Sequence, residues 1–339
     1  MRSGFRYLPM KLIILLGALA LLVVPAAQLF AQSNAPVPRG PHPYLYFTAE
    51  QIAKLKERVA HEKSSADAWA ALLATANQAV ERNGDAGPAL ESLALAYRMT
   101  GDKRYAEKVR DTLFREIKRP NWGEPDLLRR DPAWHAGLGT ARSCYRAAVA
   151  FDSIHDFLAA DERRELARGI VDLGILPTLN DWVLGGQRIH SLDTMGHNWW
   201  SACVFSAGIA TLAVLDEEPR AAAWLERISA GSVEWFSYAG SVIENKPASF
   251  DSAGGFYESV NYASFALSEY LLFRLAWTNA LRSPAPADIP LLSRVDEYFI
   301  DVCYPNAGRM MTLNFGDGAI NSDGSRPLAL LWANGYRNP

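Results

Sequence analysis

Two short polar segments, each placed directly before an apolar run, carry the residue types best suited to chemistry. The first is residues 195–200, MGHNWW, and the apolar run 202–215 follows it. The second is residues 251–262, DSAGGFYESVNY, which combines glycines with acidic, amide and phenol side chains. The packing of a helix core does not need this mixture. We therefore expect the two segments to lie at the mouths of two helices and to form one site.

Three residues of these segments, His197, Asn198 and Tyr262, could together stabilise an anion and transfer a proton. An amide donates hydrogen bonds without bringing charge, and a helix N-terminus favours a negative group through its dipole. A phenol can donate a proton to an alkoxide and take it back, and an imidazole can act as a base. Each residue also has a purely structural interpretation: a capping histidine, an N-cap asparagine or a buried, hydrogen-bonded phenol.

Side chains around these three are candidates to bind a sugar. Tyr257 and Glu258 either contact a substrate or hold the loop, and the ring of Trp199 offers a face on which a sugar ring can stack. An arginine can bind a carboxylate through two parallel hydrogen bonds. Four further residues could bind anionic groups, although exposed side chains without such a role are the default interpretation: Arg142, Arg188, His135 and His190.

The elements that must position these residues are helices. Thr48 followed by Gln51 predicts a capping box at the start of a helix. Helix–turn–helix patterns then recur, without the fixed period of about 34 residues that tetratricopeptide solenoids have. The helices predicted from apolar periodicity are 89–99, 105–117, 147–158, 163–173, 201–215 and 221–235. This pattern favours an all-α chain, and among such folds an (α/α) toroid of stacked helical hairpins over an open solenoid.

The N-terminal residues 1–31 have the pattern of an export signal. Three basic residues precede the apolar run 12–24, and small residues lead to Ala31, after which we predict cleavage. An uncleaved membrane anchor is the alternative. We therefore expect a periplasmic or secreted protein with no stable membrane insertion after cleavage.

Composition excludes several classes of protein and several kinds of site. With 339 residues, 49% hydrophobic and 21% charged, the chain is typical of globular and not of disordered or fibrous proteins. Its net charge of -3 does not predict a nucleic-acid partner, so an anionic substrate would have to be attracted by a local cluster of arginines. Cys144, Cys203 and Cys303 lack metal-ligand spacing, and we predict buried packing residues, one pair of which could oxidise. His190 and His197 lack the spacing of a helical zinc pair, so we expect no metal and no obligatory cofactor.

Four stretches carry a family resemblance through their order and spacing. They are HPYLYF at 42–47, GHNWW at 196–200, GGFYESVNY at 254–262 and NFGDG at 314–318, the last at the end of a short extended piece predicted from residue 309. Together they resemble the N-terminal helical domain of the heparinase II/III-like polysaccharide lyases, a group that includes oligoalginate lyases. The resemblance implies an (α/α) toroid followed by a β-sandwich. Residue pattern and composition predict a signal at 1–31 and a linker at 32–47, and the resemblance implies the toroid at 48–307 and the start of a truncated β domain at 308–339.

The resemblance implies a lyase that cleaves a uronic-acid-containing polysaccharide or oligosaccharide by β-elimination. Asn198, with His197, would neutralise the sugar carboxylate and stabilise the enolate that forms when the C5 proton leaves. Tyr262 would protonate the leaving O4 oxygen and could also take the C5 proton, for which His197 is the other candidate. Many family members carry Asn where His197 stands, and Ser259-Val260 replaces the commoner Gly-Pro. Either His197 or Asn198 could therefore contact the carboxylate.

Two other functions are compatible with the sequence. A glycoside hydrolase on a similar toroid needs two carboxylates that flank the bond, and Glu258 with Asp251 is the only plausible pair. A non-catalytic glycan-binding helical scaffold would show sustained repeats and helix mouths without polar residues, and neither is seen here.

Overall fold

The computed structural model describes residues 38–82, 84, 86–184, 197–237, 248–282, 286–313, 315, 318 and 324–336. The chain is mostly helical, which confirms the predicted all-α class. The helices are α1 (Ala49–His61), α2 (Lys63–Glu81), α3 (Leu90–Thr100), α4 (Lys103–Glu116), α5 (Pro125–Leu128), α6 (Leu138–Ile154), α7 (Ala160–Ile170), α8 (Leu176–Leu179), α9 (Asn198–Ala213), α10 (Ala221–Ser237), α11 (Val260–Ala280), α12 (Val295–Asp301) and α13 (Ser325–Ala333). No helix among these residues combines the length and the apolarity that a membrane crossing requires.

Local signals set several helix ends. Thr48 caps α1 because its hydroxyl accepts the Gln51 backbone N–H while the Gln51 side chain accepts the Thr48 N–H, which is the predicted capping box. Helix α6 begins at Leu138, earlier than the sequence predicted. Its first turns carry Arg142 and Arg146, which line a cavity. Because these two side chains are charged, apolar periodicity does not detect the first turns of the helix.

Helix α9 packs against both α6 and α11, and the C-terminal ends of the three helices lie together. At their C-terminal ends, one residue of each helix bonds to the segment 42–46: Asp152, Leu212 and Asn279. At the opposite end, Asn198 in the first turn of α9 bonds to Glu258, which lies directly before α11. The polar segments predicted to form one site therefore meet at the N-terminal ends of α9 and α11.

Helix α9 is enclosed by other elements because it is apolar on every side. All of its residues except Trp199 are buried, as expected for a helix without a polar face. Gly208 permits a close approach of α11, since a Cβ at this position would lie 2.6 Å from the ring of Phe273. Near the start of α9, Ser201 Oγ donates to the Ala266 carbonyl of α11 at 2.6 Å. These contacts fix the relative position of the two helices that carry the candidate residues.

The segment 42–46 belongs to the core. Tyr44 and Leu45 are buried, and each donates its backbone N–H to the carboxylate of Asp152 at 3.0 Å. The same carboxylate bonds to His42 Nδ1 at 2.7 Å. Composition predicts a linker at 32–47, but its last residues close the C-terminal ends of three helices. The predicted signal at 1–31 lies outside the described residues.

An antiparallel hairpin follows α12. Strand β1 (Cys303–Asn306) pairs with β2 (Arg309–Thr312). Strand β2 confirms the extended piece predicted from residue 309, whereas β1 was missed because Pro305 argues against a strand. Cys303 is partly exposed in this hairpin, so the prediction of a buried residue is wrong there, while the other two cysteines, Cys144 and Cys203, are buried.

Candidate active site

Glu258 connects the N-terminal ends of α9 and α11. Its Oε2 accepts hydrogen bonds from the Asn198 backbone N–H at 3.1 Å and from Asn198 Nδ2 at 2.9 Å. Its Oε1 lies 2.9 Å from His197 Nε2 and accepts the Tyr257 hydroxyl at 3.3 Å. Four residues that the sequence assigned to one site, His197, Asn198, Tyr257 and Glu258, are thus in direct contact.

The start of α9 is suited to holding an anion. His197 is its N-cap residue, and His197 Nδ1 accepts the Trp199 backbone N–H at 3.1 Å. Unpaired N–H groups of a first helical turn and the positive end of the helix dipole both favour a negative group. The Glu258 carboxylate occupies this position, for which the sequence predicted the carboxylate of a substrate.

The partners of the two His197 ring nitrogens restrict its chemistry. Because Nδ1 accepts a hydrogen bond, a neutral ring carries its proton on Nε2, which then donates to Glu258. Neither nitrogen presents a lone pair to a substrate proton in this arrangement. Asn198 Nδ2 has two hydrogens, and Glu258 takes one of them. Both ring nitrogens of His197 are thus engaged, whereas one of the two Asn198 Nδ2 hydrogens is not taken by Glu258.

Tyr262 lies in the first turn of α11. Ser259 caps this helix through its hydroxyl, which accepts the Tyr262 backbone N–H at 3.3 Å. Glu258 precedes the cap and lies outside the helix, so it does not share a helix face with Tyr262 as the spacing of the two residues suggested. The ring of Tyr262 is partly buried and packs against the core.

The other predicted binders have different surroundings. Trp199 is partly buried and meets the His197 ring edge-on, with 6.5 Å between the ring centroids. His135 bonds to the buried Asp181 carboxylate through its backbone N–H at 2.5 Å and through Nδ1 at 3.2 Å, while its ring stays largely exposed. Two predicted binders lie outside the described residues: Arg188 and His190.

A cavity of about 270 Å³ lies between α6, α9 and α11 and contains charged residues. We call it the arginine pocket and define it by five residues of its wall: Arg142, Arg146, Arg326, Glu91 and Glu269. Of these, only Arg142 was predicted from the sequence. Glu269 had a detectable signal, because it is a single carboxylate within the long, largely apolar helix α11. Arg146 and Arg326 had no such signal in the sequence, because arginines are common on the surfaces of helices.

Burial changes the acidity of this pocket. It raises the pKa of Glu269, an effect that Arg326 at 3.8 Å only partly offsets. It also raises the pKa of Glu91, which Arg146 faces at 3.9 Å, and the pKa of the Tyr145 phenol. Perturbed acids that face a cavity are typical of functional sites.

Asp251, considered together with Glu258 for glycoside hydrolysis, shapes a turn. Its Oδ1 accepts the backbone N–H groups of Ala253 at 2.8 Å and Gly255 at 2.9 Å. Glu258 in turn accepts hydrogen bonds from the residues at the start of α9. Because both carboxylates serve as local acceptors, they do not form an available acid and base.

One group among the described residues could offer metal ligands: His42, His155 and Asp216, whose ligand atoms lie within 4.8 Å of one another. The two imidazole rings stack, with centroids 3.7 Å apart and an angle of 12° between their planes. Ring-nitrogen lone pairs lie in the ring plane, so two parallel rings cannot both aim at one ion. Each ring instead faces a carboxylate: His42 contacts Asp152 at 2.7 Å and His155 contacts Glu217 at 2.8 Å. The arrangement fits ion pairing and not a single metal.

No family model and no curated protein matches this chain. Its function therefore has to be inferred from the residues of the site and their geometry.

Proposed function

We propose that the chain is a mainly helical polysaccharide lyase domain, built on an (α/α) toroid, that cleaves a uronic-acid-containing glycan by β-elimination. One observation carries the proposal: His197 and Asn198 at the start of α9 bond to Glu258, four residues before Tyr262 in the first turn of α11. An amide, an imidazole and a phenol at two adjoining helix ends are the groups that such an elimination needs.

Each group has a role in the proposed reaction. The second Nδ2 hydrogen of Asn198 donates to the uronate carboxylate, beside the positive end of α9, and stabilises the enolate. Tyr262, as a phenolate, removes the C5 proton and then gives a proton to the leaving O4 oxygen, so that a C4=C5 double bond remains. Glu258 and His197 do not react in this scheme. They hold the Asn198 amide in position.

The proposal is tested by detecting the double bond. The protein is incubated with alginate, heparan sulfate, chondroitin or hyaluronan, and the ultraviolet absorbance of the conjugated double bond is followed. We expect absorbance to rise with one of these glycans. Tyr262→Phe keeps the ring and removes the hydroxyl, so its turnover should fall by a factor of about 10² to 10⁴ while its thermal midpoint stays unchanged.

Tyr304→Phe is the matched control, because Tyr304 is an exposed tyrosine of β1 and its loss should leave turnover unchanged. If Tyr262 were only a core phenol, Tyr262→Phe would lower stability by about 1 kcal/mol and leave the folded protein fully active. That outcome would remove Tyr262 from the mechanism. Failure of every uronate glycan to give an unsaturated product would contradict the proposal itself, and binding without any product would favour a glycan-binding scaffold.

A glycoside hydrolase is the second candidate, and one observation favours it. Glu91 and Glu269 face the same cavity, and burial raises the pKa of both. A glycosidase requires a raised pKa of its acid. Hydrolysis would release reducing ends without a new ultraviolet absorbance. In that case Glu269→Gln would abolish activity and Tyr262→Phe would retain it.

A further inference from the structure

The arginine pocket lies along the helix faces that begin with Asn198 and Tyr262. On α9, Ala202 and Ser206 line the pocket and follow Asn198 at intervals of four residues, so all three share one face. On α11, spacings of three and then four residues connect Tyr262 to two residues of the pocket wall: Phe265 and Glu269. The pocket therefore begins about one helical turn from the candidate active site, on the same faces of α9 and α11.

The pocket carries an excess of positive charge. Arg146 faces Glu91 at 3.9 Å and Arg326 faces Glu269 at 3.8 Å, both longer than a hydrogen bond. Arg142 is exposed and makes no ion pair with any residue that the structure describes. Three guanidinium groups thus face two carboxylates, and any proton taken up by a carboxylate increases the excess. A neutral ligand would leave this charge without a partner.

We propose that the arginine pocket binds one uronic acid unit of the glycan and selects it by its carboxylate. Arg142 and Arg146 lie one turn apart on α6 and present two guanidinium groups, which match a carboxylate in shape and charge. Glu91 and Glu269 accept hydrogen bonds from ring hydroxyls, and Phe265 packs against the C–H face of the sugar. This inference rests on the proposed function, because it places the unit beside the residues that carry out the elimination.

Calorimetric titration of the wild-type protein tests the pocket without any turnover, because a monosaccharide has no bond to cleave. The probes are glucuronate, glucose and glucose 6-sulfate at matched ionic strength. We expect glucuronate to bind and glucose to bind far more weakly. Arg142→Gln should weaken glucuronate binding by about tenfold or more, the usual effect of losing a charged hydrogen-bond pair. The affinity of Arg142→Lys for glucuronate should lie between those of the wild type and Arg142→Gln.

Arg168→Gln is the matched control, since Arg168 is an exposed arginine of α7 outside the pocket and its loss should leave glucuronate binding unchanged. Because Arg142 is exposed, its variants should fold as the wild type does, and thermal midpoints verify this for each variant. The assignment would be overturned if glucuronate did not bind, if glucose bound as tightly as glucuronate, or if Arg142→Gln bound glucuronate with wild-type affinity. Tighter binding of glucose 6-sulfate would also overturn it, in favour of a sulfate ester.

These outcomes are separable from the test of the lyase. If glucuronate binding depends on Arg142 but no glycan gives an unsaturated product, the proposed uronate site stands and the proposed lyase activity is refuted. If wild type and Arg142→Gln form an unsaturated product with the same KM, the proposed lyase activity stands and the proposed uronate site is refuted.

Discussion

At the scale of single residues, Glu258 is the group on which the candidate active site depends. It accepts the backbone and side-chain N–H groups of Asn198, and it faces Nε2 of His197. The sequence suggested that Glu258 contacts a substrate or holds its own loop. In the structure it binds the two candidate residues of the neighbouring helix, so its effect on chemistry is through their orientation.

Replacement of Glu258 should cost stability as well as activity. Glu258→Ala removes the acceptor for the Asn198 and His197 donors, and unpaired donors at a largely buried position should lower the free energy of unfolding by about 1–3 kcal/mol. Glu258→Gln retains one acceptor oxygen and should cost less. Urea unfolding of both variants measures the difference.

A control for Glu258 is available on α10. Glu226→Ala removes an exposed carboxylate of α10 and should leave the unfolding midpoint unchanged. An unfolding midpoint of Glu258→Ala equal to that of the wild type would show that these hydrogen bonds contribute nothing to stability.

At the scale of elements, the contact between α9 and α11 positions the site. Both helices begin with residues of the candidate site, and Ser201 bonds to Ala266 about one turn further along. Gly208 lets the helices approach, because Phe273 fills the space where a side chain would stand. The geometry at the helix ends thus depends on packing deep in the core.

Gly208→Ala should destabilise the protein despite the better helix propensity of alanine. The added Cβ would lie 2.6 Å from Phe273, whose ring is fully buried and cannot swing away. Overpacking costs about 1–3 kcal/mol, against a propensity gain of about 1 kcal/mol, so the unfolding free energy should fall by up to about 2 kcal/mol. Denaturant titration checks the value.

A second substitution tests the cause of this loss. Phe273→Leu makes room for the added methyl group, so it should cost less in the Gly208→Ala background than in the wild type. A Gly208→Ala protein more stable than the wild type would refute the close-packing interpretation.

At the scale of the whole molecule, the segment 42–46 ties together the ends of α6, α9 and α11 that lie opposite the candidate site. His42 is buried there between two carboxylates, with Asp152 at 2.7 Å and Asp216 at 3.6 Å, and its ring stacks on His155. Burial opposes protonation of His42, but the hydrogen bond to Asp152 and the nearby negative charge of Asp216 outweigh it and raise the pKa. The proximity of His42 in turn lowers the pKa of Asp216.

This pair should make stability depend on pH in a defined direction. The His42 contribution is complete below its unfolded pKa of about 6.5 and is lost as the pH rises through the raised folded value. The Asp216 contribution is present above its unfolded pKa of about 3.8 and is lost as the pH falls through the lowered folded value. The stability difference between wild type and His42→Asn should therefore be largest between these two pH values and should shrink above them.

Urea unfolding over a range of pH measures this dependence. His61→Asn, at the exposed end of α1, is the control and should show no such profile. A His42→Asn deficit that grew as the pH rose would contradict the assignment of a charged His42.

Sequence alone determined the features that depend on local chemistry. The capping box at Thr48 and Gln51, the helical class and the two polar helix mouths were predicted because hydrogen bonds near a helix end and apolar periodicity involve residues close in the chain. The choice of His197 and Asn198 followed from the same local pattern. Both do lie in the cluster around Glu258.

Features that join residues distant in the chain depend on how the helices pack. His197 Nε2 contacts Glu258, which lies far along the chain, so the local pattern around His197 does not reveal this partner. The arginine pocket escaped detection because Glu91, Arg146 and Arg326 come from three helices, and each alone resembles an ordinary surface charge. The segment 42–46 has the composition of a linker, yet Asp152 draws its backbone into the core. Local patterns set which helices form, whereas the meeting of charges from different helices depends on how those helices pack.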